Sequence, residues 1–121
     1  MQAKQVVPNV YYVQGVSELG SSANQNFISN AGFVVTPAGV VVIDALGSPE
    51  LARRLLAEIG KVTKKSIHTV VLTHYHAVRV FGASAYGAQQ ILASEDTRDL
   101  IVEGREWNVL DGEIAIDVPV R

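Results

Sequence analysis

Between Val40 and Thr73 the chain passes from an apolar run, through a capped amphipathic stretch, to a second apolar run. That succession limits the available folds more than any other feature. Val40-Val41-Val42-Ile43 ends in Asp44 and reads as a strand over 40–44. Ser48 suits an N-cap, Pro49 the first helical position and Glu50 the positive end of the helix dipole. Leu51, Leu55 and Ile59 then recur at i, i+4 and i+8, with Ala52 and Leu56 alongside, which gives one apolar face destined for the core. Gly60 is the expected left-handed stop, followed by a basic linker over 61–65. His68 to Thr73 reads as the next strand, its Val70-Val71-Leu72 centre buried on both sides.

Shorter signals flank this unit. Strands are expected at Val10–Val13 and Phe27–Thr36, with a Gly-, Ser- and Asn-rich loop over 15–25 between them. Thr36-Pro37-Ala38-Gly39 is a turn leading into the strand at Val40. Beyond Thr73, a helical turn is expected over Phe81–Ala85, a strand at Gln90–Ala93, and a helix capped by Ser94 running to about Val102. Glu113–Val118 alternates apolar and acidic residues as a half-exposed edge strand would, and Trp107 reads as a cover for apolar surface. Tyr75 and Tyr86 read as packing residues. The order β, β, β, helix, β, turn, β, helix predicts an α/β (α+β) domain, a mixed sheet with helices on one face.

Composition narrows the chemistry. The chain has 121 residues and no cysteine, so disulfides, thiolate nucleophiles and Cys-based zinc sites are excluded. Any metal site must use His, Asp or Glu. A net charge of −2 with 18% charged residues argues against a nucleic-acid partner, and no basic amphipathic stripe suggests a membrane surface. No signal segment or bilayer-length apolar run is visible, so a cytoplasmic location is expected.

His74 and His76 stand two apart, just beyond the strand that ends at Thr73. In extended backbone that spacing turns both imidazoles to one side, as two ligands on one ion require. Two ligands alone do not hold zinc against water, so the pair reads first as hydrogen-bonded histidines and only second as metal ligands. His68 lies six residues upstream of His74, roughly 20 Å away at about 3.3 Å per residue, and cannot join them. Asp44 reads as a strand-end acid that bonds nearby backbone amides or the histidines. Arg79 is available to pair with it or to meet an anion.

The stretches Asn30-Ala31-Gly32-Phe33-Val34-Val35, Val41-Val42-Ile43-Asp44, Thr69-Val70-Val71-Leu72-Thr73-His74-Tyr75-His76, Gly82-Ala83 and Ile91-Leu92-Ala93-Ser94 resemble the metallo-β-lactamase superfamily in order and spacing. The resemblance covers about residues 9–100. It implies one half of an αββα sandwich, so residues 1–121 are expected to form a single truncated domain. It further implies zinc-dependent hydrolysis of lactam, thioester or lactone substrates. The family motif is His-x-His-x-Asp-His, in which His74 and His76 match first-zinc ligands and Asp44 a supporting acid near the site. The motif's Asp and final His, both second-zinc ligands, are replaced here by Val78 and Arg79. Valine has no lone pair, and the fixed charge of a guanidinium repels a divalent cation. Metal-dependent activity in a single chain is therefore expected to be impaired or lost. The expected sheet leaves one apolar face uncovered, and a homodimer through that face is the expected partner arrangement. Three readings stay open: a zinc hydrolase completed by another chain, a non-catalytic dimeric remnant or binding module using the exposed face, and a truncated gene product.

Overall fold

The computed structural model describes residues 1–25 and 27–107. Its elements run β1 (Lys4–Val7), β2 (Val10–Val13), β3 (Ala31–Thr36), β4 (Gly39–Ile43), α1 (Pro49–Val62), β5 (Ile67–Leu72), α2 (Ala77–Val80), a 3₁₀ turn (Ala83–Tyr86), β6 (Gln90–Ala93) and α3 (Glu95–Trp107). The six strands form one sheet in chain order. Neighbours from β1 to β4 are antiparallel, and β4, β5 and β6 run parallel. The molecule is thus the mixed α+β sheet that its sequence pattern predicts.

Two faces follow from the pleat, because alternate residues of each strand point to opposite sides. Phe33, Val42, Val70, Leu72 and Ile91 lie on one face, buried in a single cluster with Leu51, Leu55 and Ile59 of α1. The other face carries Val10, Tyr12, Val34, Val41, Ile43, Val71 and Leu92, every one of them partly open to solvent. Among the described residues nothing packs over it to the extent that α1 covers its opposite.

The α1 helix begins as its cap residues require. Ser48 is extended and its hydroxyl accepts from the Leu51 N–H at 3.1 Å. The end differs from expectation: the helix passes through Gly60 and stops at Thr63, an extended residue whose N–H still reaches the Ile59 carbonyl. Gly60 is therefore helical rather than a left-handed cap. Other boundaries also shift. The strand expected from Phe27 begins only at Ala31, after Asn30 turns its side chain to accept from the Gly15 N–H. In place of one turn at 81–85 there are two, α2 and the 3₁₀ turn, separated by Phe81 and Gly82. The last helix continues beyond Val102 to Trp107, capped as expected by the Ser94 hydroxyl, which accepts from the Thr97 N–H. β1 has no counterpart in the sequence expectations, and the strand expected at 113–118 and the side chain of Trp107 lie outside the described residues. No helix among the described residues is long and apolar enough to cross a membrane.

One acid ties the chain's beginning to α1. Glu58 is buried, accepts from the Ala3 N–H at 3.0 Å and pairs with the Lys61 ammonium at 2.5 Å. The Lys61 contact, followed by the Ala3 amide, holds its carboxyl below the ordinary value of 4.5. A depressed carboxylate stabilises the fold fully above its unfolded pKa and loses that contribution as pH falls through the folded one. Glu58→Gln should therefore lower stability at neutral pH, and the gap from the native chain should close below about pH 4.5. Urea melts across pH 3–7 measure this; a gap that persists unchanged at pH 3 would assign the effect to packing.

A salt-bridged turn beside the His74–His76 loop

The candidate site forms where the parallel strands β4 and β5 end side by side, the usual position for sites in sheets with this connectivity. The Asp44 N–H extends the ladder by donating to the Val71 carbonyl at 2.8 Å. Asp44 then turns with φ at 64°, and Leu46 repeats that left-handed conformation at 64°. Such values are uncommon for side chains other than glycine, asparagine and aspartate, so the turn must be held from outside.

Three contacts hold it. The Ala45 N–H donates to the Arg79 carbonyl at 2.7 Å, and the Gly82 N–H donates to the Leu46 carbonyl at 2.9 Å. The Tyr86 hydroxyl donates to the Ala45 carbonyl at 3.1 Å. Burial pushes the Tyr86 phenol well above its ordinary pKa, so it remains a donor at any ordinary pH. The expectation of Tyr86 as plain packing missed this hydroxyl. The α2 segment and the 3₁₀ turn are thus clamped onto the β4–α1 turn.

The Asp44 side chain faces Thr73. One carboxylate oxygen accepts from the Thr73 N–H at 2.8 Å, and the Thr73 hydroxyl lies 2.8 and 2.7 Å from the two oxygens. Arg79 approaches the second oxygen at 3.5 Å. Asp44 is buried while the Arg79 side chain is 42% exposed. Thr73 was not singled out by sequence, although its place at the polar end of an apolar strand is the signal for it.

His74, Tyr75 and His76 lie in a loop after β5, and the extended backbone assumed for the pair ends at Leu72. The two imidazoles are nevertheless close, with ring centres 4.0 Å apart and edge-on. Tyr75 stacks on His74 at 4.7 Å. The His76 N–H points at Nδ1 of His74, 3.0 Å away. A nitrogen that accepts there has no proton, so the neutral ring carries its hydrogen on Nε2. Metal-ligating histidines show the opposite arrangement, in which the second ring nitrogen donates and leaves the first free to coordinate. The donor set agrees: no group of three or more His, Cys, Asp or Glu that could hold a metal occurs among the described residues. Val78 falls within α2, one residue before Arg79. His68 stays apart, with Nδ1 2.7 Å from the Thr69 hydroxyl. Among the described residues, the donors present do not fit zinc.

Comparison with known proteins places this geometry in context. A family model described as the metallo-beta-lactamase superfamily matches residues 25–87, more than half of the 121. A linear primary-alkylsulfatase of Pseudomonas sp. is 29% identical over 65 residues, 54% of this chain and 12% of that protein. A stereoselective inverting sec-alkylsulfatase from Pseudomonas sp. superposes with a TM-score of 0.64 and 22% identity, over 92% of this chain and 17% of the other. A metallo-beta-lactamase from Hirschia baltica superposes with a TM-score of 0.68 and 16% identity, over 85% of this chain and 47% of the other. The chain therefore spans less than half the length of each of these proteins, and the structural likeness at this identity establishes the fold.

Proposed function

The chain belongs to the metallo-β-lactamase superfamily, and from that premise we propose that it is a metal-independent binding module built on a hydrolase fold. The observation that carries this reading is the Asp44–Arg79 pair at the end of β4, next to an imidazole whose Nδ1 already accepts a backbone N–H. A guanidinium in that place supplies a positive charge from the protein itself. The site is then suited to receive an anion without a metal's help. Hydrolysis by this family's chemistry needs a metal-bound water or a carboxylate base beside it. The motif offers Val78 where that carboxylate belongs.

The test reads metal content before activity. After dialysis against chelator and then zinc, the native protein should retain no stoichiometric zinc. It should turn over a β-lactam, a thioester, a lactone and a primary alkyl sulfate at background rates. The variant Val78→Asp/Arg79→His, which adds two ligand types, should take up more zinc than the native chain. Stoichiometric zinc on the native protein, with turnover abolished by chelator, would overturn the reading.

A further inference from the structure

The N-terminal hairpin is closed by a turn that does not suit it. Val7 pairs with Val10, so β1 and β2 are joined by the two residues Pro8 and Asn9. Two-residue turns that match the right-handed twist of paired strands need a positive φ at their first central residue. Proline is fixed near about −65° and cannot supply it. The positive φ falls instead on Asn9, at 68°, the pattern of a type II turn, which splays the strands it joins. The ladder is irregular beside that turn. Gln5 faces Tyr11 but Val7 faces Val10, so Val6 is one residue too many on β1.

Side-chain packing does little to hold β1 in place. All four of its residues are exposed, Val6 by 60% and Val7 by 52%. Its anchor lies just ahead of it, where the Ala3 N–H donates to Glu58 of α1 and Met1 and Ala3 rest against the core. β2 is secured from its other side. Each residue from Val10 to Val13 pairs with β3, and the Asn9 carbonyl accepts from the Val35 N–H at 2.8 Å. With that carbonyl fixed, rotation about the Asn9 φ swings β1 away and leaves β2 in the sheet. The edge so uncovered accepts one strand already known to fit it, which is the sequence of β1 itself.

We propose that two copies of this chain exchange their N-terminal strands, each laying β1 along β2 of the other. Straightened at Pro8 and Asn9, residues 4–13 of one copy run antiparallel to the same segment of the second, about a two-fold axis at the hinge. The register is kept, with Lys4 of one copy facing Tyr12 of the other. The Ala3 N–H then reaches Glu58 of the other copy, so the exchanged dimer repeats the bonds of the monomer except at the turn. Strain relieved at two turns is set against the freedom lost on association. The exchange takes place at the edge of the sheet and is independent of the Asp44–Arg79 site.

Concentrated protein is held in mild urea so that β1 opens, returned to buffer and sized by sedimentation, where a dimer is expected. Lys4→Cys chains mixed with Tyr12→Cys chains through the same step should cross-link on oxidation. Partners across an antiparallel ladder lie within disulfide reach, and the native chain has no cysteine to interfere. Either variant alone should cross-link far less. Pro8→Asn/Asn9→Gly installs the turn that fits a two-residue hairpin and should lower dimer formation about 10-fold or more. Asn9→Val puts a β-branched residue at a positive φ and should raise it about 30-fold or more, because each dimer relieves two hinges. A chain that stays monomeric even as Asn9→Val overturns the proposal. So does a dimer that lacks the mixed cross-link or that the Asn-Gly turn leaves unchanged, which assigns association to another surface.

Discussion

Gly82→Ala is expected to cost about 3 kcal/mol or more of folding stability, a large loss for one added methyl group. A β-carbon at this position would lie 2.1 Å from the Ala45 carbonyl oxygen and 2.9 Å from that of Ser48. Neither oxygen can retreat cheaply. The Ala45 carbonyl accepts from the Tyr86 hydroxyl, and the Ala45 N–H is fixed to Arg79. Ser48 caps α1, and its carbonyl accepts from the Ala52 N–H. The Gly82 N–H itself bonds to Leu46, so moving Gly82 away breaks that contact instead. Either displacement disturbs a turn already held at two positive φ values. Gly60→Ala provides the contrast: its β-carbon would meet nothing within 4 Å inside a helix, and it should stabilise by about 1 kcal/mol. Chemical denaturation of the two variants measures both. A loss below about 1 kcal/mol for Gly82→Ala would mean that the two loops slide past each other freely, contrary to their hydrogen-bonded clamp.

Much of this architecture is written locally and is legible as such. The α1 start is encoded within four residues by Ser48, Pro49, Glu50 and Leu51, and the apolar runs of β4 and β5 announce buried strands without further context. Other features are less legible from local signals. Gly60 has the chemistry of a stop, yet the helix continues to Val62, its fate set by the extended Thr63 that follows. β1 shows no strong pattern because its four residues are all exposed; it exists as an edge partner of β2. At the candidate site the sequence indicates which residues matter, because His74, His76, Asp44 and Arg79 depart from or match a known motif. It does not indicate how they pair. The role of Thr73 as the main partner of Asp44 depends on two strands 29 positions apart ending together. The gap in the row over Gly32 depends on its facing Tyr12 and Ile43, a register that no single strand encodes.

Asp44→Ala is the second change expected to cost about 3 kcal/mol, and a graded series shows why. The carboxylate accepts from the Thr73 N–H and hydroxyl, and hydrogen bonds to a charged group contribute about 1.5–3 kcal/mol. Alanine loses these and must also hold φ at 64°, where aspartate and asparagine are better tolerated. Glycine relieves the backbone alone, so Asp44→Gly should cost about 1 kcal/mol less than alanine. Asparagine keeps an acceptor for Thr73 and keeps the turn, losing only the negative charge opposite Arg79. With Arg79 42% exposed, that ion pair contributes at most about 1 kcal/mol, so Asp44→Asn should be the mildest of the three. The same ladder repeated in an Arg79→Gln background should keep its order and nearly its spacing. Asparagine as damaging as alanine in the native background, and harmless in the Arg79→Gln one, would instead make the ion pair the dominant bond. Arg79 would then be committed to Asp44 and unable to receive an anion. The stability of one buried carboxylate thus tests both the turn that holds the site together and the freedom of the guanidinium on which the proposed function depends.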